Sequence, residues 1–343
     1  MRWACGFLVA LLGVVSCGPN PAVERAMFGP GSEARVEPDG PAPAIATVRG
    51  RRFRPPDAAA RAEAIGDISA LPPAHQRAFA DGPLFRPMFR PGRDDWLAQH
   101  HERGQSFEAF ERRWRPDPAR TKIYVLPVGK FGPTDPALGD LERITEAHFA
   151  MDVVFLDPVT EEDLALKGRK HGGHRQLHAF TILHRLKLRV PDDAQVLLAV
   201  TNVDLYPEPS WNFVFGLASL GERVAVFSFA RYHPSFYGEP VEPDTPQRVL
   251  TRAVKVMTHE LGHTFGMEHC THFACNMNGS NHLDETDRAP LHLCPVCLRK
   301  LQHAVGFDPE RRYRDLADAY EATGLDEAST WSLARAAAVA EPG

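Results

Sequence analysis

The stretch His259-Glu260-Leu261-Gly262-His263-Thr264-Phe265-Gly266-Met267-Glu268-His269-Cys270 constrains this chain more than any other. It reads H-E-x-x-H-x-x-G-x-x-H-C. Residues i and i+4 of a helix share one face, so the imidazoles of His259 and His263 can reach one zinc ion. Glu260 sits beside the first ligand and can hold a water without occupying the metal. Gly266 can take a left-handed conformation, ending the helix and swinging His269 round as third ligand. Three histidines leave a fourth position open to water or substrate, which is the pattern of catalytic zinc sites. A core helix with chance histidines is the competing reading. The added glycine and third histidine argue against accident.

Six cysteines are present: Cys5, Cys17, Cys270, Cys275, Cys294 and Cys297. The last four form C-x4-C and then C-x-x-C. Two close pairs of this kind suit a tetrahedral structural zinc held by four thiolates. Cys270 adjoins His269, so the two metals are expected close together. Two disulfides are the alternative, because the chain looks exported and oxidising compartments favour them. His272, His282 and His292 also lie near and could substitute as ligands, although solvated loop histidines are commoner.

With these residues the chain resembles the archaemetzincins, a branch of the metzincin metallopeptidases. Their pattern is H-E-x-x-H-x-x-G-x-x-H-C-x4-C-x-M followed by C-x-x-C. Cys275-Asn276-Met277 and Cys294-Pro295-Val296-Cys297 supply its second half. Met277 matches the methionine of the metzincin Met-turn, a hydrophobic floor beneath the three histidines. Upstream similarity runs through Thr201 to Tyr206, Asn212 to Gly216 and Ser228 to Arg231. The resemblance covers about residues 120–306. It implies a zinc metallopeptidase acting on small peptides, with aminopeptidase-like cleavage as one mode. It also implies two zinc ions, one catalytic and one structural.

Arg2 and the apolar run Phe7–Val15 form a short signal-like segment, too short to span a bilayer as a helix. Val14-Val15-Ser16-Cys17 fits a bacterial lipobox, with cleavage before Cys17 and lipid on its thiol. The expected location is the bacterial cell envelope, anchored through Cys17. Gly18 after the lipidated cysteine points to the outer membrane in a Gram-negative cell. No cysteine in 18–269 is left to latch a catalytic zinc.

The expected organisation is a signal peptide (1–16), a disordered tether (17–83), a helical N-terminal extension (84–119), a catalytic domain (120–306) and a C-terminal helical tail (307–343). The tether rests on a Pro-, Ala-, Gly- and charge-rich composition with few aromatics. In the extension, Trp96, Leu97, Phe107, Phe110 and Trp114 recur at roughly helical spacing. Net charge is −5, and the basic patches Arg51–Arg54 and Arg112–Arg115 are short, so nucleic acid is not an expected partner.

Strands are expected over Ile123–Val128, Val153–Leu156, Gln195–Asn202, Asn212–Leu217 and Arg223–Phe229. Helices are expected over Pro136–Phe149, Arg175–Leu188 and Gln247–Phe265, with a polar loop over Lys167–Gly173. This order fits an α/β (α+β) fold: a metzincin-like, mixed, twisted sheet backed by helices, with a small C-terminal subdomain for the cysteines. Asn212–Leu217 is the expected edge strand along which an extended peptide would lie. His171, His174, His178 and His184 form a second histidine group, but no carboxylate or cysteine completes it as a metal site.

Catalysis is expected to run through water activated by zinc and Glu260. A zinc-containing scaffold or binding protein is the reading from another class. Retention of Glu260 argues against it, since binding alone needs no general base. Hydrolysis of a non-peptide amide begins with the same chemical step.

Overall fold

A computed structural model describes residues 16–17, 53–219 and 222–340. Residues 1–15 of the expected signal peptide and 18–52 of the expected tether therefore lie outside the described residues.

The central sheet has the strand order β3-β2-β6-β10-β9. Its members are β2 (Lys122–Val128), β3 (Asp152–Phe155), β6 (Ala194–Thr201), β9 (Gly216–Ser219) and β10 (Val224–Ser228). The first four in sheet order are parallel, and β9 runs antiparallel to β10 as an edge. Every residue of β6 is buried, because helices cover both faces of the sheet. Alternation divides the side chains between two layers. Ile123, Val125, Val196, Leu198 and Phe227 face the cluster that holds helix α5 (Leu138–Phe149) and helix α7 (Thr245–Thr264). Leu126, Leu197, Ala199, Val224 and Val226 face α6 (Ala179–Lys187) on the other side.

A second sheet has the order β1-β8-β7-β5-β4. It comprises β1 (Ser16–Cys17), β4 (Gly168–His171), β5 (His174–His178), β7 (Asp204–Tyr206) and β8 (Phe213–Val214). A buried ion pair ties this sheet to the segment after β10. Arg231 donates to both oxygens of Asp204 at 2.8 Å, and Gln176 adds a third bond to Asp204 at 2.7 Å.

Three elements differ from expectation. The polar loop over Lys167–Gly173 is half of a β4–β5 hairpin, and the following helix begins at Ala179 rather than Arg175. His174 and His178 thus lie on a strand, and their i,i+4 spacing has no helical meaning there. Asn212–Leu217 is divided at Phe215, so β8 and β9 belong to different sheets. The tether also ends earlier than residue 83. Ala58–Ile65 forms helix α1 and Pro73–Phe79 forms helix α2, both packed into the main core. Alanine counts toward a linker composition but is also the strongest helix former. Asp57 caps α1 by accepting from Ala60 N at 2.9 Å.

The extension holds two short helices, α3 (Trp96–Gln99) and α4 (Phe107–Arg113), joined by an irregular segment. After the cysteine region come α8 (Leu283–Arg288), α9 (Pro295–Val305), α10 (Pro309–Ala322) and α11 (Asp326–Ala340). Helices α10 and α11 pack on each other and on α2.

Candidate metal centre

Helix α7 carries His259 and His263 on its buried face, deep under β9 and β10. It ends as its glycine allows: Gly266 has φ 79°, and its N–H bonds His263 O at 2.8 Å. The chain then turns back and brings His269 to the first two rings. Ring centroids of His269 lie 5.3 Å from His259 and 5.1 Å from His263.

Hydrogen bonds fix all three tautomers. His259 Nδ1 bonds Asn276 O at 2.8 Å, His263 Nδ1 bonds Met267 O at 2.6 Å, and His269 Nδ1 bonds Glu102 Oε1 at 2.8 Å. Carbonyl and carboxylate oxygens only accept, so each Nδ1 carries the proton. A neutral ring held in this way presents its lone pair at Nε2. His259 Nε2 and His263 Nε2 are 3.0 Å apart, and His269 Nε2 has no hydrogen-bond partner. Two facing lone pairs at that distance repel unless a cation lies between them. Burial holds the His259 imidazole down at about 3 and His263 well below its ordinary value. Both are therefore neutral, the form that ligates metal. These donors fit zinc.

Glu260 is fully buried, and neither carboxylate oxygen has a hydrogen-bond partner. Burial raises its pKa well above the ordinary 4.5, a shift that the positive charge of a metal at the histidines would oppose. Gly216 of β9 lies directly against it. A Cβ there would meet Glu260 Cγ at 2.7 Å and its Cδ and Oε1 at 2.8 Å. The buried Tyr232 hydroxyl also lacks a partner, and burial together with the charge of Glu260 raises its pKa well above 10.0.

Met277 packs beneath Gly262, between the two helical histidines. A Cβ on Gly262 would meet Met277 Sδ at 2.5 Å. Asn276 secures this turn twice: its carbonyl accepts from His259, and its side chain donates to Thr258 Oγ1 at 2.7 Å. The four sulfurs of Cys270, Cys275, Cys294 and Cys297 lie within 4.8 Å of one another, are buried and form no disulfide. Backbone N–H groups of Cys294 and Met277 point at Cys275 Sγ, at 3.2 and 3.5 Å. Such a thiolate set also fits zinc.

His282 and His292 are engaged elsewhere. His282 caps α8 and faces Asp95 at 3.3 Å, while His292 stacks on Trp331 at 3.7 Å. A third group, Asp95, His282 and Glu285, is bound up with Arg288, which reaches Asp95 at 2.6 Å. His174 stacks on Phe236 and His178 bonds Thr181, so the second histidine group does not converge.

Sequence reasoning missed Glu102. Its carboxyl accepts from His269 and from Trp96 Nε1, both at 2.8 Å. Burial pushes its pKa up, but these bonds hold it below the ordinary value. Glu102 lies 167 positions before His269, so no local pattern links them. Gly216 falls in the family-like stretch Asn212 to Gly216 and in the expected edge strand, but its contact with Glu260 was not legible in the sequence.

Residues 177–303 match the profile of peptidase family M54. Archaemetzincin-2 of Mus musculus is 40% identical over 265 residues, spanning 68% of this chain and 74% of that protein. Human archaemetzincin-1 is 34% identical over 254 residues, spanning 65% of this chain and 51% of that protein. The crystal structure of an archaemetzincin from Archaeoglobus fulgidus, complexed with malonate, is 29% identical. It aligns to 52% of this chain and 99% of that one, with a TM-score of 0.41. With such identity across three quarters of its mouse relative, this chain belongs to the archaemetzincin family and is a zinc metallopeptidase.

Proposed function

We propose that the protein hydrolyses peptide bonds in small peptides. His259, His263 and His269 hold a catalytic zinc, Glu260 is the general base, and Cys270, Cys275, Cys294 and Cys297 hold a second, structural zinc. The observation that carries this reading is the convergence of three imidazoles whose Nδ1 atoms are all engaged, with a buried carboxylate that lacks a hydrogen-bond partner on the same helix as two of them.

Bound zinc supplies a Lewis acid that polarises the scissile carbonyl and acidifies water. Glu260 accepts a proton at a carboxylate oxygen as the water oxygen bonds the carbonyl carbon. It returns that proton to the amide nitrogen as the C–N bond breaks. Strand β9 offers its outer edge to an extended substrate, whose backbone would pair with Gly216–Ser219. The glycine opens space for Glu260 beside that strand. Met277 and Asn276 hold the histidine pair from below.

The test combines metal analysis with a broad peptide library. Wild type is expected to bind two zinc ions. Glu260→Gln keeps both, while turnover falls by roughly two to four orders of magnitude. His263→Ala loses one ion and the activity. Cys294→Ser loses the other ion and stability, because binding it contributes folding free energy. One zinc and no free thiols in unfolded wild type would mean disulfides instead. Substrates with free and blocked N-termini separate aminopeptidase-like from internal cleavage. A library left intact by wild type would favour a scaffold role.

The envelope location is a separate proposal, resting on the lipobox at Val14-Val15-Ser16-Cys17. Cys17→Ser should release the protein from membranes, and equal membrane retention of both forms would refute it.

A further inference from the structure

We propose that Glu102 is the positioning residue of the catalytic centre, so that the N-terminal extension completes the site. The inference rests on the reading of His269 as a zinc ligand.

The three rings are held in unequal ways. His259 and His263 ride on a helix, and their Nδ1 protons go to nearby backbone carbonyls. His269 lies in the loop past Gly266, with no helix to aim it. Its Nδ1 proton goes instead to a carboxylate, at 2.8 Å. A carboxylate partner both fixes the tautomer and raises the basicity of the opposite ring nitrogen, so it strengthens the ligand as well as orienting it.

The carboxylate is itself fixed. Trp96 Nε1 donates to the same oxygen at 2.8 Å, and the indole packs edge-on against His269 at 5.1 Å. His100 stacks on Trp96 at 3.8 Å. Gln105 then clamps the segment that leads into His269: its amide donates to Gly266 O at 3.1 Å and accepts from Glu268 N at 3.2 Å. Upstream, Trp96 N bonds both oxygens of Glu285, at 2.9 and 3.0 Å. The extension thus encloses one side of the centre, and Glu102 is its single charged contact with a ligand ring.

The test measures zinc affinity of the full chain by chelator competition. Thermal stability and the cobalt(II) spectrum are recorded alongside. Glu102→Ala removes both charge and acceptor, and Glu102→Gln keeps an oxygen that can accept from His269 and Trp96. Affinity at the histidine site is expected to fall on the order of 10- to 100-fold in the alanine variant and less in the glutamine variant. The thiolate-bound ion should stay, and the cobalt bands should shift in both variants. If Glu102→Gln matches wild type in affinity and spectrum, Glu102 is only a latch and the inference fails. Folded Glu102→Ala with wild-type affinity overturns it too. Failure of the parent reading looks different: wild type itself would then bind no ion that His263→Ala removes.

Discussion

Glu260 and Gly216 show how little room the centre leaves. The carboxylate sits in a space that exists because residue 216 lacks a side chain. Gly216→Ala would push it aside by a few tenths of an ångström or more, without touching a histidine. Zinc content should therefore remain, while turnover falls by roughly 100-fold, the scale of a small misplacement at a reacting group. Metal analysis and peptide cleavage on the same preparation check this. Wild-type turnover in Gly216→Ala would mean that the carboxylate tolerates displacement. The ligands were readable residue by residue in the sequence, because donor type and i,i+4 spacing are local properties. Their partners were not: Glu102 and Tyr232 carry no motif of their own, and the family-like stretch that holds Gly216 does not announce its contact with Glu260.

Among the elements, the active-site helix was the easiest to read and the segment 167–178 the hardest. A hairpin with four residues on one strand, most of them polar or charged, has no apolar alternation to announce it. Helix α8 was also unannounced, and it carries a pH-sensitive joint. Glu285 receives N–H bonds from Trp96 and Asn281, yet burial pushes its carboxyl up to about 7 from 4.5. The folded chain therefore binds more protons here than the unfolded chain between 4.5 and about 7. Its contribution to stability is fully present below 4.5 and is lost as pH rises through about 7. Glu285→Gln has no such proton to lose. Across that window its melting temperature should decline less with rising pH than that of wild type. Parallel slopes in the two proteins would show that Glu285 does not titrate there.

At the scale of the whole molecule, residues 77–85 are joined to the last helix, α11. Arg77 Nε bonds Val339 O at 2.7 Å, and Arg335 reaches Arg77 O and Ala78 O at 3.3 and 3.2 Å. Trp331 of α11 stacks on His292, meets Phe85 and Tyr313 edge-on, and donates to Leu84 O at 3.2 Å. Trp331→Ala should therefore cost about 3 kcal/mol, the low end for a large aromatic because the side chain is partly exposed. Denaturant titration measures the loss. Zinc binding at the histidines should be unchanged, since Trp331 contacts His292, Phe85, Tyr313 and Leu84, none of them a proposed ligand. No change in stability would mean that the C-terminal helices pack as an independent tail. None of the described helices is long and apolar enough to cross a membrane.

The sequence by itself offered the donor set proposed for the centre, three imidazoles, one carboxylate and four cysteines at spacings that zinc sites use, while the methionine floor came from the family resemblance. It also determined four strands of the central sheet, β2, β3, β6 and β10, to within a residue. There, apolar runs such as Ala194–Thr201 meet covering helices of strong period. Tertiary structure alone decided which edge strand borders Glu260, where β8 and β9 part, and how early order begins before residue 83. It alone brought Glu102 to His269. The physical reason is range. Helical period and ligand spacing are written between neighbours, whereas a bond across 167 positions depends on how every intervening element packs.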